Sequence, residues 1–136
     1  MNLEGIDHVA LSVADVERSA KWYIEVLGFE RRYQDVWKGI PVFIGQGTTA
    51  IALFLAKGSE HPVGDSHGAQ PGGHTGPRML HLAFRARGEA FKAAQLELQS
   101  HGIPFQFEDH EISHSIYFRD PDDHKLEITT YDVPRR

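Results

Sequence analysis

The feature that most constrains the fold of this chain is an internal repeat. Residues 8–11 (HVAL) and residues 81–84 (HLAF) begin alike, and each has the composition of a buried strand led by a histidine. A helical pattern follows in each half and ends at a glycine. Gly28 lies 20 residues after His8, and Gly102 lies 21 residues after His81. A duplicated unit of this kind predicts two modules with the same order of elements.

Each half is predicted to have the order βαβββ. Apolar and β-branched runs predict the strands, and 3.6-residue periodicity predicts one helix per half. The predicted strands are 6–13, 29–37, 41–46 and 50–55 in the first half, and 79–85, 105–107, 115–118 and 125–131 in the second. The predicted helices run from a cap at Asp15 to Gly28 and from 88 to 101. The fold class is therefore α+β, with two βαβββ modules.

The chain length of 136 residues suits a single domain. We place the first module at about 1–57 and the second at about 78–136. Residues 58–77 are rich in glycine, proline and histidine and are predicted to be a loop, because this composition cannot form a packed core. A loop of this length inside a compact domain is functional or disordered.

Composition excludes several classes of function. The formal net charge of −5 gives no long-range attraction to nucleic acid or to an anionic membrane. There is no cysteine, so disulfides and thiolate ligands are excluded. No apolar run is long enough to cross a bilayer, and the first residues do not resemble a signal peptide. We expect a cytoplasmic protein with a small-molecule substrate.

Two histidines occupy the same position in the two halves of the repeat, and a glutamate lies in the last strand of the second half. His8 and His81 lead the matching strands, and Glu127 lies among apolar residues of the last strand. Two imidazoles and one carboxylate suit Fe(II), with Mn(II), Ni(II), Zn(II) or Co(II) also compatible, and they leave positions open for chemistry. In the register of the repeat, Ala52 matches Glu127. The alternative is that both histidines are hydrogen-bonded core residues and Glu127 forms a surface ion pair.

Four more polar side chains lie close to the predicted metal ligands in sequence. Tyr117 precedes Glu127 by ten residues on the adjacent strand, where its hydroxyl could bond to a substrate or move a proton. Ser115 shares its face and is predicted to contact substrate. His110 and His114 are candidate general bases. Their alternatives are a packed aromatic ring for Tyr117 and solvated loop positions for the histidines.

Aromatic strand residues are the candidate pocket walls. We predict that Trp37 and Phe54 contact substrate, and that His74 reaches it from the loop. The default reading of strand aromatics is a core position.

With these residues identified, the chain resembles the vicinal oxygen chelate superfamily, the glyoxalase/bleomycin resistance/extradiol dioxygenase group. The resemblance covers nearly the whole chain. It rests on residues 7–13, 22–23, 27–29 and 81–84, and above all on 117–127 (YFRDPDDHKLE). It implies that the two modules form a cupped mixed sheet around a divalent metal. It also implies a homodimer in which His8 of one chain joins His81 and Glu127 of the other.

The branch of the superfamily is indicated by the ligand count and the last strands. Glyoxalase I and methylmalonyl-CoA epimerases typically carry a fourth ligand where this chain has Ala52. This chain resembles the signature of extradiol dioxygenases at His110, at residues 116–117 and 120–121, and at Glu127. It departs from that signature at Asp123, where glycine is usual. Fosfomycin-resistance transferases use a lysine and a basic loop, where this chain has Phe107 and the acidic stretch 108–111.

The leading hypothesis is therefore a metal-dependent enzyme that acts on vicinal oxygens, most like a small extradiol dioxygenase with Fe(II). A glyoxalase-like lyase or isomerase and a fosfomycin-type thiol transferase are the enzyme alternatives. A metal-free drug-binding protein of the bleomycin-resistance kind is the alternative from another class. In every case the expected ligand is a small molecule.

Overall fold

The computed structural model describes residues 1–56 and 77–134. The chain divides into two compact units, residues 1–75 and 76–136. Among the described residues, each unit has one four-stranded mixed sheet and one α-helix in the order βαβββ, which confirms the predicted α+β class. That the two units form a single domain stays a prediction. No helix among the described residues is long and apolar enough to cross a membrane.

The first unit consists of β1 (Val9–Val13), α1 (Val16–Leu27), β2 (Glu30–Arg32), β3 (Val42–Gln46) and β4 (Thr49–Leu55). The sheet order is β1-β4-β3-β2, with β1 and β4 parallel and the other pairs antiparallel.

Local signals set both ends of α1. The Asp15 carboxylate accepts a hydrogen bond from the Arg18 backbone N–H at 3.0 Å, as an N-cap should. Gly28 ends the helix at φ +73°, a left-handed conformation that a side chain would strain. The helix buries Ala20 and Tyr23 fully in the core of the unit.

The second unit consists of β5 (Leu82–Arg85), α2 (Gly88–Ser100), β6 (Gln106–Asp109), β7 (His114–Arg119) and β8 (Lys125–Thr130). Its sheet order, β5-β8-β7-β6, repeats that of the first unit, again with one parallel pair. Gly102 follows α2 at φ +69°, as Gly28 follows α1. Phe91 and Leu98 of α2 are buried, whereas Leu96 is 68 % exposed.

Several predicted strands are too long. The predicted 29–37 strand ends at Arg32, because Tyr33, Trp37 and Lys38 adopt positive φ angles that no strand accommodates. Residues Trp37–Gly39 form a single 3-10 turn instead. His8 and His81 were predicted within strands, but each lies one residue before its strand begins.

The strand registers confirm the internal repeat residue by residue. Ala10 pairs with Ala52 on the parallel strands of the first unit, and Ala83 pairs with Glu127 on those of the second. Because His8 and His81 each lie two residues before these alanines, Ala52 is the structural counterpart of Glu127. By the same registers, Phe43 is the counterpart of Tyr117, since Phe43 pairs with Ala52 and Tyr117 pairs with Glu127.

Alternation along β7 and β8 gives the second sheet two different faces. On one face Ile116, Phe118, Leu126 and Ile128 form an apolar layer that is at most 8 % exposed. This layer is on the side of α2, since Phe107 pairs with Ile116 and its ring contacts that of Phe91. The opposite face carries Ser115, Tyr117, Glu127 and Thr129, and we call it the Glu127 face.

Candidate active site

The centre of the Glu127 face is a contact between two predicted metal ligands. His81 Nε2 lies 2.9 Å from Glu127 Oε2. The Glu127 side chain is 10 % exposed and that of His81 is 35 % exposed. The carboxylate is therefore largely removed from water, while the imidazole remains open to an incoming ligand.

Two hydroxyls hold the other oxygen of this carboxylate. Ser115 Oγ donates to Glu127 Oε1 at 2.6 Å, and Tyr117 OH donates to the same oxygen at 3.1 Å. Ser115 Oγ also lies 3.0 Å from Thr129 Oγ1. Ser115 is fully buried, so its hydroxyl orients Glu127 rather than facing an open pocket.

Tyr117 connects Glu127 to a histidine. His110 Nε2 lies 3.1 Å from Tyr117 OH. Because the tyrosine proton is directed to Glu127, His110 satisfies this bond by donating from Nε2. Burial raises the pKa of Tyr117, and the negative charge of Glu127 raises it further. The phenol therefore keeps its proton at neutral pH.

Only one of the two candidate base histidines reaches Tyr117. His114 lies on β7 in alternation with Ile116, so its ring is on the other face of the sheet. That ring contacts Phe107 at a centroid distance of 5.1 Å, and Nε2 lies 3.7 Å from an Asp109 carboxylate oxygen.

The His81–Glu127 pair has the dimensions of two adjacent metal ligands. Ligand atoms bound at about 2.1 Å and at right angles around a metal ion are separated by about 3 Å. The observed 2.9 Å matches this value, and imidazole with carboxylate suits Fe(II), Mn(II) or Zn(II). Among the described residues, no three histidine or acidic side chains are grouped to hold a metal ion. The pair therefore fits a metal and requires a further ligand.

The third predicted ligand, His8, lies in the first unit. Its Nδ1 is 2.8 Å from an Asp7 carboxylate oxygen, and the side chain is 40 % exposed. A carboxylate on one ring nitrogen fixes the ring and leaves the other nitrogen to bind a metal, an arrangement common among ligand histidines. The His8 ring also contacts Phe43 at 5.1 Å, as His81 contacts Tyr117 at 5.8 Å.

An aromatic cleft of 470 Å³ opens beside His8. Trp37 and Phe54 line it, together with Tyr33, Phe43 and Ala52. The rings of Tyr33, Trp37 and Phe43 contact one another with centroids 5.3 to 5.7 Å apart. Tyr33 was not among the predicted pocket residues, and its positive φ angle of 58° has no local sequence signal. His74, the remaining predicted substrate contact, lies outside the described residues.

The turn before β8 fixes the position of Glu127. Asp120 is buried, and its Oδ1 accepts hydrogen bonds from the backbone N–H groups of Asp122 and His124. Its Oδ2 lies 2.7 Å from His124 Nδ1, and this hydrogen bond raises the pKa of His124. Asp123 adopts φ +70°, which explains why glycine would suit this position.

Comparison with known proteins agrees with this architecture. Residues 5–128 match the sequence model of the Glyoxalase/Bleomycin resistance protein/Dioxygenase superfamily. A curated relative is the glutathione transferase FosA of Serratia marcescens, 26 % identical over 127 residues, covering 93 % of this chain and 80 % of the relative.

Two solved structures show the same fold. A lactoylglutathione lyase from Agrobacterium tumefaciens has a TM-score of 0.71 and 22 % identity, with 96 % of each chain covered. A glyoxalase/dioxygenase from Nostoc punctiforme has a TM-score of 0.73 and 24 % identity, covering 97 % of this chain and 94 % of that one.

Proposed function

The chain belongs to the Glyoxalase/Bleomycin resistance protein/Dioxygenase superfamily, and from this premise we propose that it is a metal-dependent enzyme acting on a small substrate with vicinal oxygens, most like an extradiol dioxygenase. The observation that carries the proposal is the 2.9 Å contact of His81 with a carboxylate whose other oxygen is held by two hydroxyls. A buried carboxylate oriented in this way is costly unless it binds something positively charged.

The ligand set we propose is His8, His81 and Glu127 around one divalent ion, in a homodimer where His8 comes from the second copy of the chain. His81 and Glu127 match two ligands by distance, and His8 carries the Asp7 carboxylate typical of a ligand histidine. Three ligands leave positions open for two vicinal oxygens. Fe(II) is the favoured ion.

When bound, the ion would act as a Lewis acid on a chelated diol and, as Fe(II), would supply oxygen chemistry. The chain's own residues position the substrate and move protons. Ser115 orients Glu127 through its hydrogen bond, and this role replaces the predicted contact with substrate. Tyr117 keeps its proton and can donate it to a substrate oxygen. His110, whose side chain is 41 % exposed, exchanges that proton with solvent.

The aromatic cleft supports an aromatic substrate. Four aromatic rings lie beside His8, and a planar diol would bury its apolar surface against them. They belong to Tyr33, Trp37, Phe43 and Phe54. Ala52 adds no fourth ligand to this side, in keeping with a three-ligand site.

Anaerobic reconstitution with Fe(II), followed by exposure to oxygen with a panel of catechols, tests the proposal. We expect one Fe(II) per chain and a ring-cleavage chromophore with at least one catechol, absent in Glu127→Ala. Glu97→Ala, which removes an exposed glutamate from α2, is the matched control and should retain both. Bound iron with no chromophore from any catechol would count against the dioxygenase.

A thiol transferase is the second candidate, favoured by the similarity to a glutathione transferase. Fosfomycin-resistance transferases use a lysine at the position where this chain has Phe107. Its ring packs against Phe91 and His114, away from the Glu127 face. Metal-dependent consumption of glutathione in the presence of an epoxide, with no oxygen uptake on catechols, would favour the transferase.

A further inference from the structure

A second pocket is lined by Tyr117 and by other residues of β6, β7 and β8. It has a volume of 370 Å³, and its polar lining residues are Gln106, Glu108, Tyr117, Arg119 and Lys125. The register places Gln106 opposite Tyr117, and Arg119 opposite Lys125, so these side chains lie on three adjacent strands. None of them has a role in the proposed metal site except Tyr117.

Two cations line this pocket, and neither has a carboxylate partner among the described residues. Lys125 Nζ lies 4.8 Å from the centre of the Tyr117 ring. Arg119 uses Nη1 to donate to the Asp123 backbone oxygen at 3.0 Å, which leaves its other N–H groups available. In the part of the chain that the structure describes, neither side chain forms an ion pair.

The remaining charge near the pocket limits what it can bind. Glu108 also lines it, and its Oε2 lies 3.7 Å from His110 Nε2. Two cations and one anion leave a net charge of about +1 when His110 is neutral. One carboxylate would neutralise this charge, whereas a doubly charged phosphonate would leave an uncompensated negative charge beside Glu108.

We infer that Arg119 and Lys125 form a carboxylate subsite beside Tyr117, so that the preferred substrate is a vicinal diol carrying a carboxylate. This inference rests on the proposed function. Lys125 and Glu127 are two residues apart on one face of β8, a spacing of about 6.7 Å along a strand. One substituted benzene ring spans this distance, so a diol held at Glu127 can place a ring carboxylate at Lys125.

Equilibrium binding of two diols to the Mn(II)-loaded protein under anaerobic conditions tests the subsite. The diols are catechol and 3,4-dihydroxybenzoate, measured by titration calorimetry. We expect the carboxylated diol to bind about tenfold more tightly, as charge-assisted hydrogen bonds allow. In Lys125→Met and in Arg119→Gln the preference for the carboxylated diol should fall to about twofold. Lys125→Arg keeps the positive charge and should retain the tenfold preference. Lys92→Met, which removes an exposed lysine from α2, is the control and should leave it unchanged.

The outcomes separate the two proposals. If neither diol binds in a manner that depends on Glu127, the proposed function fails and the subsite with it. If both diols bind equally, or if the preference persists in both variants, the subsite alone is overturned. A glutathione arm identifies the source of the carboxylate. If glutathione binds with a dependence on Lys125 and 3,4-dihydroxybenzoate does not, the subsite serves a thiol co-substrate and the carboxylated diol is overturned.

Discussion

The two units have the same scaffold and different chemistry. In each unit a histidine lies two residues before an alanine of the first strand, and that alanine pairs with a residue of the last strand. An aromatic residue of the neighbouring antiparallel strand pairs with the same residue of the last strand. In the second unit the paired positions are Glu127 and Tyr117, whereas in the first they are Ala52 and Phe43. The first unit thus presents an aromatic cleft, and the second presents a hydrogen-bonded carboxylate.

The difference shows that two units with the same strand order can carry different side chains at corresponding positions of the sheet. The counterpart of Ser115 is Pro41, one residue before β3, so the first unit lacks both hydroxyls that hold Glu127. In the second unit, hydroxyl groups of β7 donate the hydrogen bonds that offset the burial of the Glu127 carboxylate.

Converting Glu127 to alanine makes the second unit like the first and has the largest expected effect. We expect Glu127→Ala to weaken divalent metal binding by more than about 100-fold. Removing a residue that supports a ligand lowers metal affinity by about 10- to 100-fold, and removing the ligand itself should lower it further. Competition with a fluorescent chelator measures the affinity. Metal affinity equal to that of the native chain would show that Glu127 is not a ligand.

The reverse change, Ala52→Glu, places a carboxylate in the first unit without its hydroxyls. We expect the free energy of unfolding in urea to fall by about 2–3 kcal/mol, the cost of an unsatisfied buried polar group. Adding Phe43→Tyr, which copies Tyr117, should recover about 1 kcal/mol. If Ala52→Glu alone is as stable as the native chain, the hydroxyls are not what permits a carboxylate on this sheet.

Removing one hydroxyl from the second unit gives a smaller effect. Ser115→Ala deletes the 2.6 Å hydrogen bond to Glu127 and should weaken metal binding by about tenfold. Ser12→Ala, an exposed serine of β1, is the matched control and should have no effect. An equal change in both variants would remove the orienting role of Ser115.

The turns before the last strands give the smallest predicted effect. Gly47 and Thr48 alone join β3 to β4, whereas residues 120–124 join β7 to β8 around the Asp120–His124 pair. The pKa of His124 is raised by folding, so its contribution is fully present below its ordinary pKa of 6.5 and is lost as the pH rises through the folded value.

His124→Asn, which keeps a donor near Nδ1 but no charge, tests this turn. Native protein should exceed the variant in unfolding free energy by about 1 kcal/mol at pH 5.5, and the difference should shrink in alkaline buffer. Urea titrations across this pH range measure it. A difference that grows with pH would contradict the assigned sign.

Much of the fold could be predicted because its signals are local. Asp15 and Gly28 delimit α1 by capping, and the register of the repeat alone predicts that Ala52 is the counterpart of Glu127. The positive φ angles of Tyr33 and Trp37 could not be predicted, because neither residue type favours such angles. The contact between their two rings is tertiary and has no local signal either.

The site was predictable to the extent that strand alternation determines a face. It placed Ser115 and Tyr117 with Glu127, and the same rule would have included Lys125 and put His114 on the opposite face. Burial was not predictable from alternation. Ser115 was expected to face substrate, and only the packed structure shows its hydroxyl enclosed between Glu127 and Thr129.

Subunit mixing tests most directly whether His8, His81 and Glu127 share one ion across a dimer. His8→Ala and Glu127→Ala proteins should each bind almost no metal alone. After the two are unfolded together and refolded at equal concentrations, half of the dimers should be mixed, and each mixed dimer should carry one intact site. We predict that about a quarter of the native metal content returns. Full metal binding by His8→Ala alone, or no recovery on mixing, would contradict the shared site.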